Sequence, residues 1–546
     1  MRPLHASIAA LPLLWSAALA DPLPAAATTP ATTDPAGSLP RFSGELAAQA
    51  HREHPLRLAP GDFVQGRLSG RAMRLVLLDR DGKRARILAK GRRDDQDFMF
   101  IAGNRGPYTL DVRAPVAGSY AMQLTRQVPQ GAQVAPATVP DSPRLRALQQ
   151  ALAAGSTTQA FWREVAAGGG PLVESAGVTP ALERGELLVT FLWRGAVDNV
   201  RVMGAPSGDH DLLVRLAGSD VWYRSYRVPA STRLSYRLAP DVPDFDGTPV
   251  QRRRAILATA QRDPLNPRSF PARPLDPYDG DSVLELPAAP AQEWVEPRAG
   301  IAAGTVETVR LASKVLGNER TIVLYRSHGW QPGAAGNALV VLFDAENFTD
   351  EVPTPVILDN LVGSGMLPPT AAILIANPNG ETRATELPPN AAFARFLSGE
   401  LMPWARARGV HAEAASTVIA GASYGGLAAA HAGLRHPELF GNVYSQSGSF
   451  WWSPAHEEPE WLTREFATAP KKPVRFLLDA GLYETGRAGS PGILDTTRHL
   501  RDVLRARGYD VSYREFAAGH DWFHWRGTLG NGLVRMLGKR QDSAGG

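Results

Sequence analysis

The sequence predicts a multidomain protein in which two small β-sandwich-like domains precede a C-terminal domain with a mostly parallel sheet. The 546 residues are too many for one ordinary domain. Up to about residue 290, short apolar runs are separated by Gly, Asp and Pro turns, which is typical of antiparallel sandwiches. From about residue 300, apolar runs alternate with helical segments, which predicts a sheet with helices on both faces.

The N-terminal 40 residues predict an export signal and a linker. The apolar run from Ile8 to Leu19 leads into the A-x-A cleavage site Ala18-Leu19-Ala20 before Asp21, so residues 1–20 are predicted to be a secretory signal peptide. Residues 21–40 form a linker rich in Pro, Ala and Thr. Because the apolar run is too short to span a bilayer, we expect a mature protein in the periplasm without stable membrane insertion.

Three folded domains are predicted beyond this linker. Residues 41–128 contain short strand-like runs and are interpreted as the first β-sandwich-like domain. A linker rich in Pro, Ala and Gln at 128–140 leads to residues 141–290, which are interpreted as the second sandwich. Residues 300–540 carry the alternating strands and helices, and we expect the chemistry in this third domain.

The composition excludes several classes of function. Lys and Arg number 58 against 54 Asp and Glu, and the net charge of +4 comes without a basic tract, so nucleic acid is not an expected partner. The absence of cysteine excludes disulfides, thiolate metal sites and cysteine nucleophiles. A hydrophobic content of 44% with 21% charged residues describes a folded, soluble protein.

The stretch Ser416–Gly426 is the motif around which the third domain is organised. The β-branched run Thr417–Ile419 precedes a G-x-S-x-G turn from Gly421 to Gly425, and a helical segment rich in Ala and Leu follows. This order of strand, tight turn and helix is typical of a nucleophile elbow. We therefore predict an α/β-hydrolase domain with Ser423 as its nucleophile; the alternative is a glycine-rich turn with an idle serine.

A serine nucleophile needs a base, and an acid that orients the base. In this fold the three follow in the order serine, acid, histidine. His520 stands in a glycine-containing loop after the last predicted strand and is the preferred base, with His524 as the alternative. Glu484, in the loop beyond an earlier strand, is preferred as the acid over Asp479 at the end of that strand. A serine–histidine pair without an acid remains a third arrangement.

The oxyanion hole of such a site consists of two backbone N–H groups. One is predicted to belong to Tyr424, the residue after the nucleophile. The other is expected in the loop after the strand Leu339–Phe343, where Ala345 and Glu346 are both candidates. Backbone donors place little demand on residue type, so the choice between these two stays open.

Many separate stretches match one known family in the right order. The chain resembles the enterochelin (enterobactin) esterases, serine hydrolases that open the trilactone of catecholate siderophores, over about residues 145–538. Two features depart from most members of this family, the signal peptide and the extra domain at 41–128. The matching stretches are Thr190–Gly195, Val221–Pro229, Leu234–Pro240 and Asp263–Pro267 in the sandwich, and Leu316–Arg320, Leu342–Glu346, Arg383–Leu387, Gly421–Gly426, Ser445–Trp452 and Gly519–Arg526 in the hydrolase.

The resemblance implies an esterase whose partner is a catecholate siderophore, iron-bound or free. Iron would arrive with the siderophore, so neither a metal site on the protein nor a cofactor is expected. The resemblance supports Ser423 and His520 as catalytic and adds Arg383 as a substrate-binding candidate. Aromatic faces and a guanidinium suit flat, anionic catecholates, so residues near the elbow and the base are substrate-binding candidates: Trp452, Trp525 and Arg526, with Trp451 and Trp522 in the same stretches. The alternative is that these tryptophans are core residues.

Three other functions compete with this hypothesis. A general carboxylesterase of the feruloyl or acyl type shares everything from residue 300 onward but does not explain the matches in the sandwich. A non-catalytic siderophore-binding protein is disfavoured by an intact Ser423 with a base and an acid. A peptidase is suggested only by Gly118–Leu124, which resembles the closing strand of bacterial pre-peptidase C-terminal domains.

Overall fold

The computed structural model describes residues 39–91, 93–132, 139–204, 206–207, 210–486 and 491–538. The predicted signal peptide, nearly all of the first predicted linker and part of the second lie outside the described residues. The chain divides into two compact units, Met1–Thr138 and Val139–Gly546. No helix in the part of the chain that the structure describes is long and apolar enough to cross a membrane.

Within residues 39–132, the first unit forms a sandwich of antiparallel strands. The strands pair in two sheets, and apolar residues that alternate along them, such as Leu68, Leu75 and Leu110, are fully buried between the sheets. The strands are β1 (Arg41–Leu46), β2 (His51–Leu56), β3 (Phe63–Ser69), β4 (Arg74–Leu78), β5 (Arg84–Lys90), β6 (Asp95–Ile101), β7 (Tyr108–Arg113) and β8 (Gly118–Val128). Their orders are β1-β8-β3-β6 and β2-β7-β4-β5.

The second unit opens with another sandwich. Its elements are α1 (Pro143–Ala153), α2 (Gln159–Gly168), β9 (Leu172–Glu174), β10 (Glu186–Arg194), β11 (Val200–Met203), β12 (Asp211–Leu212), β13 (Val214–Arg215), β14 (Val221–Pro229), β15 (Arg233–Pro240), α3 (Pro249–Thr259), β16 (Ser269–Phe270) and β17 (Asp281–Glu285). The sheets have the orders β13-β14-β10-β9 and β12-β11-β15-β17-β16. Phe191, Leu234 and Tyr236 are buried in its core.

The rest of the second unit contains one large sheet. Its strands are β18 (Thr305–Ser313), β19 (Asn318–Arg326), β20 (Ala338–Phe343), β21 (Thr370–Ile375), β22 (Thr417–Ala422), β23 (Asn442–Gln446), β24 (Arg475–Gly481) and β25 (Asp510–Phe516). Their order is β18-β19-β21-β20-β22-β23-β24-β25. The β18–β19 and β19–β21 pairs are antiparallel, and every later neighbouring pair is parallel.

Helices cover both faces of this sheet. They are α4 (Asn347–Asp350), α5 (Thr354–Gly363), α6 (Gly380–Glu386), α7 (Ala391–Phe396), α8 (Met402–Arg406), α9 (Tyr424–Arg435), α10 (Trp461–Thr468), α11 (Ile493–Ala506) and α12 (Trp522–Leu537). One apolar core joins one face to α7–α11, and a second joins the other face to α5 and α12. This architecture confirms the predicted fold class, sheet-rich domains followed by an α/β-hydrolase domain.

The turn between β14 and β15 connects the second sandwich to the hydrolase domain at two points. The hydroxyl groups of Thr232 and Tyr483 lie 2.5 Å apart. The backbone N–H of Arg233 donates to the carbonyl of Ala517 at 2.9 Å. Tyr483 and Ala517 are also buried in the core of the sandwich. Because these two residues lie in the loops after β24 and β25, the sandwich supports the edge of the sheet where we expected the acid and the base.

Candidate active site

Ser423 lies at the sharp turn between β22 and α9. Its φ is 59° and its ψ is −122°, a conformation that is strained for a residue with a side chain. Glycines permit this turn because they let neighbouring backbone segments pack closely. A Cβ on Gly421 would lie 2.6 Å from the carbonyl carbon of Gly425, and a Cβ on Gly426 would lie 2.4 Å from Ser445 Oγ. This geometry is that of a nucleophile elbow.

Ser449 lies next to Ser423 on the neighbouring loop and is not among the predicted site residues. The Oγ atoms of the two residues lie 3.4 Å apart, and the Ser449 N–H donates to the Ser423 carbonyl at 3.1 Å. The Ser423 N–H in turn donates to the carbonyl of Gln446 at 3.0 Å. Ser449 belongs to the matched stretch that starts at Ser445, which is the only sequence signal that could have found it.

The structure brings His520 and Glu484 together. Nδ1 of His520 lies 2.5 Å from Oε1 of Glu484, and Oε2 of Glu484 accepts the N–H of Gly481 at 2.7 Å. The Glu484 side chain is 2% exposed, whereas that of His520 is 39% exposed. A carboxylate only accepts hydrogen bonds, so Nδ1 carries the hydrogen and Nε2 presents its lone pair. This pairing suits a base whose orientation is held by a buried acid.

The two alternative residues have other partners. Asp479 is buried, and it accepts hydrogen bonds from the Arg514 guanidinium at 2.6 and 2.8 Å and from the Tyr444 hydroxyl at 2.7 Å. His524 is buried against Phe516, their ring centroids 5.0 Å apart. Burial lowers the pKa of His524 to about 3, with Arg233 and Arg514 acting in the same direction.

The two loops expected to form an oxyanion hole offer two amides. The N–H of Tyr424 lies at the first position of α9 and therefore has no acceptor within the helix. The N–H of Ala345 donates to the Ile375 carbonyl at 3.2 Å, so it is engaged by the sheet. The N–H of Glu346 has no hydrogen-bond acceptor among the described residues. The structure thus favours Glu346, the alternative left open, over Ala345 as the second donor.

Trp525 is buried beneath His520, so it cannot offer a ring face to a substrate as predicted. Its ring is perpendicular to the imidazole, with the centroids 4.7 Å apart. Its Nε1–H donates to Ser447 Oγ at 3.1 Å, and its carbonyl accepts from the side-chain amide of Gln446 at 3.0 Å. Gln446 also accepts the N–H of Ser423, so Trp525 connects the base to the loop beside the nucleophile.

A partly exposed cluster adjoins Ser423, and we call it the rim cluster: Arg383, Tyr424 and Trp451. The Trp451 side chain is 39% exposed, and its ring centroid lies 6.1 Å from that of Tyr424. The Arg383 guanidinium lies 5.8 Å from the Tyr424 centroid and binds Asp344 through two hydrogen bonds of 2.7 and 2.8 Å. Trp452, the predicted residue, is half-buried in the core beside Trp461. Trp451 rather than Trp452 therefore faces solvent at the site.

The pKa values of Arg383 and Tyr424 depend on burial and on charged neighbours. Burial alone would lower the pKa of Arg383, but the hydrogen bonds and the charge of Asp344 outweigh it, and the pKa is raised. Burial raises the pKa of Tyr424, and Arg383 opposes this shift. At physiological pH the rim cluster thus contains a neutral phenol and a guanidinium that is ion-paired with Asp344, so it offers a flat ligand aromatic surface and the remaining N–H donors of Arg383.

Arg526 lies on the side of α12 that faces the sandwich. Its guanidinium carbon is 5.3 Å from the ring centroid of Phe270, and its Nη2 donates to Glu296 at 3.3 Å. Phe270 and Glu296 are not in the elbow, acid or base loops. The neighbours of Arg526 therefore belong to the sandwich and to the segment after it, and they differ from the neighbours of the rim cluster.

A group of metal-ligating side chains occurs in the first unit. Ligand atoms of His51, Glu53 and Asp111 lie within 4.8 Å of one another. Asp111 is already paired with His51 at 3.0 Å and with Arg113 at 2.6 Å. A guanidinium bound to the central carboxylate disfavours a cation at the same place. Both carboxylate oxygens of Asp111 thus already have partners within the first unit.

Comparisons with known proteins match both domains of the second unit. The family model described as enterochelin esterase, N-terminal, matches residues 188–295, and the model described as putative esterase matches residues 313–536. An iron(III) enterobactin esterase from Dickeya dadantii is 32% identical over 417 residues, which cover 69% of this chain and 93% of the relative. An iron(III) salmochelin esterase from Escherichia coli O6:H1 is 29% identical over 419 residues, 72% of this chain and 98% of the relative.

Solved structures agree with these matches. The enterobactin esterase from Shigella flexneri, crystallised in the presence of enterobactin, is 29% identical and has a TM-score of 0.54, covering 69% of this chain and 97% of that one. The ferric enterobactin esterase from Salmonella typhimurium is 28% identical with a TM-score of 0.56, covering 69% and 98%. The similarity thus extends over nearly the whole length of each of these proteins.

Proposed function

This chain belongs to the enterochelin esterase family, and on that premise we propose that it is a serine esterase that hydrolyses the trilactone ester bonds of catecholate siderophores such as enterobactin. The observation that carries the proposal is the strained Ser423 elbow in the same domain as a His520–Glu484 pair. Relatives that match both domains are named for enterobactin and salmochelin. The siderophore, with or without its iron, is the substrate, and iron is its cargo.

Acylation begins with the transfer of one proton. Ser423 Oγ attacks the ester carbonyl carbon, and its proton moves to Nε2 of His520. Glu484 holds the imidazole by Nδ1 and stabilises the imidazolium without taking the proton. The amides of Tyr424 and Glu346 are the proposed donors to the oxyanion of the tetrahedral intermediate. The negative charge that develops on this oxygen is thereby stabilised by amide dipoles that are already oriented toward it.

The remaining steps complete acylation and then regenerate the enzyme. The tetrahedral intermediate collapses, the bond to the seryl oxygen of the substrate breaks, and this leaving oxygen takes the proton from His520. The trilactone ring is now open and remains joined to Ser423 as an ester. A water molecule then gives a proton to His520 and attacks this ester, and the same sequence of steps releases the acid and restores Ser423.

The rim cluster is the proposed contact for the catechol arm next to the reacting ester. Trp451 offers an exposed aromatic face, and Arg383 offers a cation held in place by Asp344. A catecholate is flat and anionic, so it complements both groups.

One experiment separates the candidate functions. The chain and its Ser423→Ala variant are incubated with ferric enterobactin, free enterobactin, a feruloyl ester and a peptide panel, and the products are measured by mass spectrometry. We expect dihydroxybenzoylserine products from enterobactin with the parent chain and none with the variant. Faster turnover of the feruloyl ester would support a general carboxylesterase. Binding of enterobactin without any product would support a siderophore-binding protein.

We also propose that the protein is exported to the periplasm and contributes to iron acquisition there. The apolar run from Ile8 to Leu19 and the A-x-A site before Asp21 support export. Hydrolysis of the siderophore removes the covalent ring that joins its three chelating arms, which weakens the hold on iron. Mass spectrometry of the native protein should find Asp21 as the first residue, and Met1 in a cytosolic fraction would contradict the proposal.

A further inference from the structure

A groove of about 340 Å³ lies between the second sandwich and α12, and we call it the seam groove. Its volume is within the range of small-molecule sites, roughly 300–1,000 Å³. The sandwich contributes most of its lining and α12 contributes the rest. Its lining includes Pro267, Arg268, Phe270, Val283, Phe523 and Arg526.

The seam groove combines aromatic surface with positive charge. The rings of Phe270 and Phe523 have their centroids 5.5 Å apart at an interplanar angle of 52°. The guanidinium of Arg526 lies 5.3 Å from the centroid of Phe270. The exposed Arg268 adds a second guanidinium, which donates one hydrogen bond to Glu285 at 2.8 Å and keeps its other N–H donors. Flat anionic ligands are recognised by this combination, because the rings contact their faces and the guanidinium groups bind their oxygens.

Arg526 has hydrogen-bonding capacity to spare. Its side chain is 15% exposed, and its Nε is buried without a hydrogen-bond partner among the described residues. Its acceptor Glu296 is 3.3 Å away and 81% exposed, so this ion pair is weak. Burial lowers the pKa of Arg526, and Glu296 opposes the shift only in part. An anionic ligand in the groove would bind the exposed part of this guanidinium in place of the weak pair with Glu296.

The seam groove lies close to the catalytic base. Helix α12 starts at Trp522, two residues after His520, and Arg526 follows about 6 Å along the helix axis. Phe523 and Arg526 are three residues apart and share one face of the helix. Trp525, on another face, packs against His520. One end of α12 therefore carries both the support of the base and the wall of the seam groove.

We propose that the seam groove binds a second catecholate arm of the substrate while the rim cluster holds the arm next to the reacting ester. This inference rests on the proposed function, because a trilactone siderophore carries three such arms. A substrate with one arm uses the rim cluster alone. Binding energy from the second arm then favours multi-armed substrates, and the sandwich becomes part of substrate selection.

The test compares a three-armed substrate with one that has no catechol. Arg526→Met removes the charge but keeps a long side chain, and Phe270→Leu removes the ring. For both variants we expect KM for enterobactin to rise about tenfold, which corresponds to the loss of one cation–π or charged contact. The kinetic constants for p-nitrophenyl butyrate and for a one-armed ester of dihydroxybenzoylserine should stay within about twofold of the parent, whereas a KM that also rises for the one-armed ester would place the first arm in the groove and overturn the inference. Arg408→Met is the matched control, since Arg408 also lies over an aromatic ring, 4.3 Å from the centroid of Trp404.

Each outcome of this test has one meaning. If both variants hydrolyse enterobactin with the parent KM, the seam groove is not a substrate site. If KM rises equally for p-nitrophenyl butyrate, the residues act on the fold of the active site and the inference is also overturned. If the parent hydrolyses p-nitrophenyl butyrate but not enterobactin, the proposed function itself fails. Phe270→Leu decides the matter if Arg526→Met does not fold, as judged by circular dichroism.

Discussion

Replacement of Glu484 by glutamine is expected to lower kcat for ester hydrolysis about 10³-fold. The Glu484 carboxylate lies 2.5 Å from Nδ1 of His520 and is almost fully buried. Two opposite unit charges about 4 Å apart attract each other by about 4 kcal/mol at an effective dielectric constant of about 20. The imidazolium forms only as the reaction proceeds, so this energy is lost from the transition state. Each 1.36 kcal/mol corresponds to about tenfold in rate.

The hydrogen bonds of the variant add to the electrostatic loss. The glutamine oxygen still accepts the N–H of Gly481, as Oε2 of Glu484 does now. The glutamine NH₂ group then faces Nδ1 of His520 and favours the tautomer in which Nδ1 accepts and Nε2 carries the hydrogen. This tautomer cannot take the proton of Ser423. The effect therefore falls on kcat, and KM should change little.

The assay is the initial rate of p-nitrophenyl butyrate hydrolysis, with a thermal melt to verify folding. Asp479→Asn is the control. It weakens the buried ion pair with Arg514, so we expect a lower Tm. Its kcat should stay within about threefold of the parent, because Asp479 does not contact His520. A Glu484→Gln variant that keeps a third of the parental kcat would refute the reasoning and indicate a Ser423–His520 pair.

Three further predictions concern the nucleophile, its turn and a buried histidine. Ser423→Ala should lower kcat on the order of 10⁴–10⁶-fold while calorimetry finds nearly unchanged enterobactin binding; a tenth of the parental activity would contradict the assignment. Gly421→Ala should lower stability by about 1–3 kcal/mol in thermal melts, because its Cβ would lie 2.6 Å from the Gly425 backbone; an unchanged Tm would be the opposite result. Burial, with Arg435 and His436, lowers the pKa of His431 to about 4, so the unfolded chain binds more protons between pH 4 and 6.5. About 3 kcal/mol of stability should therefore be lost as pH falls through this range, and melts of His431→Gln should show a smaller pH dependence.

The fold and the sharp turn at Ser423 were predictable because each leaves a local pattern in the sequence. The change from short strands with turns to strands with helices separates the sandwiches from the hydrolase domain. The glycines that flank Ser423 mark a turn in which neighbouring backbone segments approach closely and leave no room for a Cβ atom. His520 and Glu484 could be singled out because both follow predicted strands, and the structure places those strands, β24 and β25, next to each other.

The remainder of the site depends on contacts between distant segments. Trp451 and Trp452 are adjacent and identical, so only the packing of Trp452 on Trp461 distinguishes them. Asp479 is opposite Arg514 in the paired strands, and this register is not visible in the strands taken separately. Backbone amides such as that of Ala345 carry no residue signature at all. These features are determined by tertiary contacts, so the local sequence pattern did not predict them.

The turn between β14 and β15 also limits where the protein can be cut into separate fragments. The two matched family regions suggest a cut between residues 295 and 313, yet a fragment that starts there loses Thr232 and Arg233. Those residues hold the loops that contain Tyr483 and Ala517, one residue before Glu484 and three before His520, the proposed acid and base. A chimaera that exchanges sandwiches between relatives therefore has to match this turn to the recipient's loops, or its two catalytic loops lose a common anchor.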